Sequence, residues 1–372
     1  MPPILNYSLF FQTTTTNFFF FAGLNCFVLL PLYIQRLGGT EIEIGVVMGL
    51  YSTAGIICQP LVGALVDAFG RRQFLLFGTV AVFATTLVAA LSNSITVIGL
   101  VRLVQGVGFS AFFVANYTLV IDLVPVERRG WALGIYGVSG LIATALAPLA
   151  GEWIVRRAGF RALFLFAAAL GAVAVVLAYR GPRQSRSRNG AGGIQLPLVG
   201  RDEIFRRHML VTLFFGLGTG AVFTFMPTFA ESLGVRTLSL FYTGYAGAAM
   251  LVRIAAGGLI DSRGRRAVIV PCMLIQALAT AILAALGLGF LRGSEVPVVL
   301  FLVLGGLLAG GAHGFLYPSL AALVTDVTAP ARRGSVVGVF SAAALTGMPW
   351  GHSYSATSPT GSATGRCGSP SR

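Results

Sequence analysis

Two ten-residue stretches of this chain set one carboxylate ahead of a pair of arginines. Residues 63–72 read G-A-L-V-D-A-F-G-R-R, and residues 257–266 read G-G-L-I-D-S-R-G-R-R. Both fit G-x-L-x-D-x-x-G-R-R, and each follows a long apolar run. Asp67 is within reach of Arg71, Arg72 or a charge on a neighbouring helix; Asp261 stands in the same relation to Arg265 and Arg266. Such a set makes and breaks ion pairs; it does not cleave bonds. Gly63 and Gly70, with Gly264 in the second copy, suit a close helix approach and a positive-φ turn. A second pair repeats with equal spacing: Asp122 precedes Arg128, Arg129 and Gly130, and Asp326 precedes Arg332, Arg333 and Gly334.

A third group lies inside an apolar run. Arg102, Gln105 and Gly106 occur as R-L-V-Q-G-V-G. An arginine in an apolar span is costly unless it faces a partner or water. The corresponding region of the second repeat, around Gly306, has no charge, so the arginine reads as functional rather than architectural. Arginine keeps its charge, so it would tune a carboxylate or hold an anion rather than carry a proton. His313 can titrate near neutral pH. Arg253, two turns before Asp261, is expected to pair with it near the helix end in a structural role.

Several chemistries are excluded. All 26 basic residues are arginine, so there is no P-loop lysine to hold ATP phosphates and no Schiff-base lysine. Cys26, Cys58, Cys272 and Cys367 are far apart, and His208, His313 and His352 have no metal-ligand spacing. The expectation is a non-enzymatic protein without a metal or cofactor.

These residues need elements to position them, and composition says which. The 372 residues are 56% hydrophobic and 10% charged, with mean hydropathy +0.83. Soluble chains carry roughly a quarter charged residues, so this is an integral membrane protein. The net charge of +14 sits in arginine clusters between apolar runs, where it meets anionic lipid rather than nucleic acid. Membrane helices are predicted near 14–34, 42–64, 73–91, 95–120, 130–150, 161–179, 208–230, 238–259, 267–290, 296–325 and 335–350. The first reads as a retained helix, not a signal peptide. The polar, basic stretch 181–207 divides a six-helix bundle (residues 1–180) from a second bundle (208–350), which is one helix short. Arginine counts place the N-terminus and linker in the cytoplasm; Arg156, Arg157 and Arg161 run against that bias. Residues 351–372 are Ser/Gly/Thr-rich and atypical. They read as a frameshift or premature end, with a natural disordered tail as the alternative.

The duplicated loop, paired halves and basic linker together resemble the major facilitator superfamily over residues 14–349. The resemblance implies an all-α fold of duplicated six-helix bundles that rock about a midplane cavity. It implies gating by Gly63, Asp67, Gly70, Arg71 and Arg72 and by Asp261, Gly264, Arg265 and Arg266. Arg102, Gln105 and Gly106 resemble the pattern linked to proton coupling in exporters. Gly137, Gly140, Pro148 and Gly151 resemble the exporters' glycine-rich motif in helix 5, although Ala147 and Ala150 depart from it. No carboxylate falls in mid-membrane to carry the proton. Asn25, Gln59, Asn116, Tyr136, His313 and Tyr317 are cavity candidates. The expected function is proton-linked efflux of a small neutral or hydrophobic molecule by a monomer in a bacterial inner membrane. The alternatives are a same-fold importer of a sugar, organic acid or small anion, and a truncated, non-transporting protein.

Overall fold

Long apolar runs satisfy their own backbone hydrogen bonds only as helices, and the computed structural model is built of helices. It describes residues 7–181, 209–219, 222, 226, 229, 233, 235, 239–263, 265–289, 297–326, 328 and 332–345. The basic linker, Gly264 and the 351–372 segment lie outside these residues, as do the side chains of Pro148, Asp261, Arg265 and Arg266. The elements are α1 (Tyr7–Asn25), α2 (Leu30–Arg36), α3 (Glu41–Phe69), α4 (Arg71–Leu91), α5 (Ile95–Leu123), α6 (Arg129–Arg180), α7 (Met209–Thr219), α8 (Ser239–Arg263), α9 (Arg265–Gly287), α10 (Val298–Asp326) and α11 (Arg333–Leu345). Among the described residues, seven helical stretches are long and apolar enough to cross a membrane.

The predicted helices and the observed ones differ for local reasons. The predicted first span, 14–34, starts at Tyr7 and is broken by a 3-10 turn at Cys26–Leu29. Pro31 sits at the start of α2, where its missing N–H is harmless but would interrupt a continuous helix. The spans predicted at 130–150 and 161–179 are the limbs of α6, joined at Gly159 alone, where φ is +80°. Leu163 returns against Gly151. The limbs, about 45 Å and about 30 Å long, each suffice to cross a ~30 Å core. Helix α3 begins at a capping box: Thr40 accepts the Glu43 N–H, and the Glu43 side chain accepts the Thr40 N–H.

The two halves pack alike. Helix α5 packs on α3 and α4, and α10 packs on α8 and α9. The register that carries Asp122 onto Asp326 also carries Gly106 onto Gly310. A Cβ on Gly106 would meet the Tyr51 carbonyl, and one on Gly310 would meet the Tyr245 carbonyl, so both pairs depend on backbone-to-backbone approach. Between halves, α3 packs on α11 and the first limb of α6 packs on α8. These two crossings exchange places when α6 is matched to α11 by that register and α3 to α8 by the one that carries Asp67 onto Asp261. The chain therefore has duplicated bundles about a pseudo-two-fold axis.

Candidate functional site

The loops after α3, α5 and α10 lie at one end of the bundle, the arginine-rich end. Gly70 turns the chain there with φ +95°, a conformation L side chains rarely adopt. The predicted positive-φ turn is present. The predicted close approach at Gly63 is also present, because a Cβ there would overlap the Gly334 carbonyl of α11.

That approach places Asp67 under the start of α11. Its carboxylate accepts the Gly334 N–H at 2.8 Å, the Ser335 N–H at 2.7 Å and the Ser335 hydroxyl at 2.8 Å. First-turn N–H groups have no intrahelical partner, and the helix dipole is positive there. Asp67 is thus an anion bound to a helix N-terminus in the opposite half. Its sequence neighbours do less than expected. Arg71 stands 3.7 Å from Asp67 but bonds Asp122 at 3.1 Å. Arg72 donates to the Tyr179 carbonyl and lies over the Tyr179 ring, away from Asp67.

Asp122 also receives Arg333 of the other half at 2.7 Å. Arg129 reaches Asp326 at 3.1 Å in the opposite direction. These four residues are equivalent in pairs: Asp122 corresponds to Asp326, and Arg129 to Arg333. Each half therefore binds its counterpart's arginine. All four side chains are largely buried, and breaking one such buried pair costs about 3–5 kcal/mol.

Arg102 lies nearer the opposite end and is buried. It donates to Gln105 at 3.0 Å, and Gln105 donates to Thr86 at 3.3 Å. The guanidinium lies 4.0 Å from the Tyr51 ring centroid. Arg102 and Gln105 are joined as their spacing suggests, while Gly106 serves the contact between α3 and α5. Of the helix 5 set, Gly137 seats Arg253, Gly140 lies beside Asn17, and Gly151 packs on Leu29 and Leu163.

The cavity candidates separate into three places. Asn25 donates to Thr144 within the first half. Asn116 donates to Tyr136, and Tyr136 donates to Asn17 at 2.7 Å, in a network with Ser139. Asn17, which the sequence reading missed, was visible as an amide within an apolar run. Gln59 is fully buried on α3, and its backbone carbonyl abuts Gly338 of α11. His313 and Tyr317 stack with centroids 5.8 Å apart in a group with Phe215 and Tyr245.

Arg253 corrects an expectation. It is buried among this aromatic group rather than paired near the helix end. Its Nε donates to the Gly314 carbonyl at 3.3 Å, and its guanidinium covers Gly137 of the other half. Among the described residues, the carboxylates lie near helix ends and none pairs with Arg253.

Comparison with known proteins agrees with this architecture. The chain matches the family model described as Major Facilitator Superfamily over residues 13–351. It is 24% identical to the staphylopine export protein of Staphylococcus aureus over 348 residues, covering 90% of this chain and 85% of that protein. It is 36% identical to the inner membrane transport protein YajR of Escherichia coli over 159 residues, 41% of this chain and 34% of that one. The fold superposes on the human organic anion transporter MFSD10 with TM-score 0.75 at 18% identity, covering 95% and 94% of the two chains. With two pseudo-equivalent bundles and a family match across nearly their whole length, this integral membrane protein belongs to the major facilitator superfamily of secondary transporters.

Proposed function

We propose that the chain is a proton-linked exporter of small molecules that works by alternating access. The observation that carries this reading is the network at the arginine-rich end. Asp67 on the first turn of α11, Asp122 with Arg333, and Arg129 with Asp326 all join one half to the other. These contacts form only while that end is closed, and each can be broken without unfolding either half. They act as a lock that holds one access state. Asp261, Gly264, Arg265 and Arg266 supply the second copy of the device. The Arg102–Gln105 pair and the helix 5 glycines support export and coupling to protons, as does the export named for the Staphylococcus aureus relative. The arginine distribution supports a cytoplasmic location for the lock in a bacterial inner membrane.

The test is efflux from cells loaded with an anionic dye (fluorescein), a neutral dye (Nile red) or a cationic dye (ethidium). Energised export of at least one is expected, with arrest when a protonophore collapses the gradient. Export of none would sink the transport reading; export indifferent to the protonophore would sink the proton link. Asp67→Asn should lower export at least tenfold with membrane insertion intact, and wild-type export would remove Asp67 from the lock.

A further inference from the structure

The two inter-half contacts are equivalent in position but not in charge. The register that carries Asp67 onto Asp261 carries Gln59 onto Arg253. The Gln59 backbone carbonyl faces Gly338 of α11, and the Arg253 backbone carbonyl faces Gly134 of the first limb of α6. A neutral residue stands at the first contact, so the architecture does not demand a cation at the second. At about 1.5 Å of rise per residue, Arg253 lies ~15 Å from the Arg263 end of α8, near the middle of a ~30 Å core. A charge at that depth is costly without a partner. The Arg253 Nε donates to the Gly314 carbonyl, and the guanidinium is a fork of five N–H donors.

The surroundings suit one kind of guest. Tyr117, Tyr245 and Tyr317 are close enough to act on the Arg253 charge, and Arg253 in turn acts on His313. Among the described residues, the buried Tyr117 hydroxyl and His313 Nδ1 have no hydrogen-bond partner. Tyr317 stacks on His313 with planes 14° apart and meets Tyr117 of the other half edge-on at 6.2 Å. His313 and Tyr317 remain partly exposed, which leaves the group open at one edge.

We propose that Arg253, Tyr117 and His313 form the head-group site for an organic anion, a carboxylate carried on a planar apolar body that packs against Tyr245 and Tyr317. The guanidinium offers a planar fork of donors that matches a carboxylate. The Tyr117 hydroxyl adds a donor from the opposite half, so the bound anion bridges the halves. The site rests on the transport reading above and replaces the neutral substrate expected from sequence with an anionic one.

The test is binding to the purified full chain, read as a ligand-induced rise in the thermal midpoint, with naphthoate and its neutral counterpart naphthamide as probes. Naphthoate should stabilise the protein and naphthamide should not. Arg253→Gln should weaken naphthoate binding about tenfold to a hundredfold, and Tyr117→Phe severalfold. Equal binding of acid and amide, no binding of the acid at millimolar concentration, or unchanged acid binding in Arg253→Gln would each overturn the site. If Arg253 only braced helices, Arg253→Gln would lower the ligand-free midpoint and leave the acid-to-amide preference intact. Should that variant fail to fold, Tyr117→Phe and the wild-type preference decide the matter. Binding is read without a gradient. Failure here therefore leaves dye export standing, and absence of dye export leaves this binding measurable.

Discussion

Glycines do as much as charges in placing these contacts. Gly63 admits the Gly334 backbone, Gly137 admits the Arg253 guanidinium, and Gly70 supplies a left-handed turn between two long helices. Each position excludes a side chain for a different reason, so the consequences of substitution differ. Gly70→Ala meets no neighbouring atom and costs only backbone strain, about 1–3 kcal/mol. It should lower the thermal midpoint with little effect on export per folded molecule. Gly63→Val, by contrast, drives a side chain into α11 and parts Asp67 from Gly334 and Ser335. Export should fall about tenfold or more, and a cysteine pair across α3 and α11 should cross-link more slowly. Equal export by the two variants at matched protein levels would contradict this division of roles.

At the scale of elements, the charged network joins helix ends rather than helix faces. Asp122 ends α5, Arg129 starts α6, Asp326 ends α10 and Arg333 starts α11. Because the pairs cross, charge reversal should be rescued by exchange. Asp122→Arg alone faces Arg71 and Arg333 and should abolish export; adding Arg333→Asp should recover a measurable fraction. A coupling of about 0.5–3 kcal/mol in the double-mutant cycle is expected, and full additivity would rule the pairing out. Much of this architecture was legible in the residues. The repeated D-x-x-G-R-R and D-x-x-x-x-x-R-R-G spacings marked helix ends, and apolar length marked the spans. The partners were only partly legible. Spacing suggested that Asp67 meets Arg71, Arg72 or a charge on a neighbouring helix; Arg71 does stand 3.7 Å away, but the carboxylate's hydrogen bonds come from backbone N–H groups of α11, which no residue type announces. Arg253 was misplaced similarly, because a sequence shows the nearest carboxylate along the chain and not the aromatic group brought in from α5 and α10.

For the whole molecule, the closed end and the buried arginine near the middle share the same two interfaces, α3 with α11 and α6 with α8. In the proposed cycle, opening the lock would part both, and with them Gly137 from Arg253. Cysteines placed on the facing surfaces of α3 and α11, with Gly63 and Gly334 retained, in a background without native cysteines should cross-link under oxidation and arrest export, with recovery on reduction. Undiminished export by the oxidised protein would show that this interface need not part. The reciprocal pairing of Asp122 with Arg333 and Asp326 with Arg129 has another consequence, one of ancestry. A contact in which residue i meets j while j meets i is the mark of an isologous dimer. Two copies of a single half, not yet fused, would close on each other with the same pairs. In such a dimer no position can change without changing twice. Joining the copies into one chain releases that constraint, and an arginine at position 253 opposite a glutamine at position 59 is a difference that only the joined chain can hold.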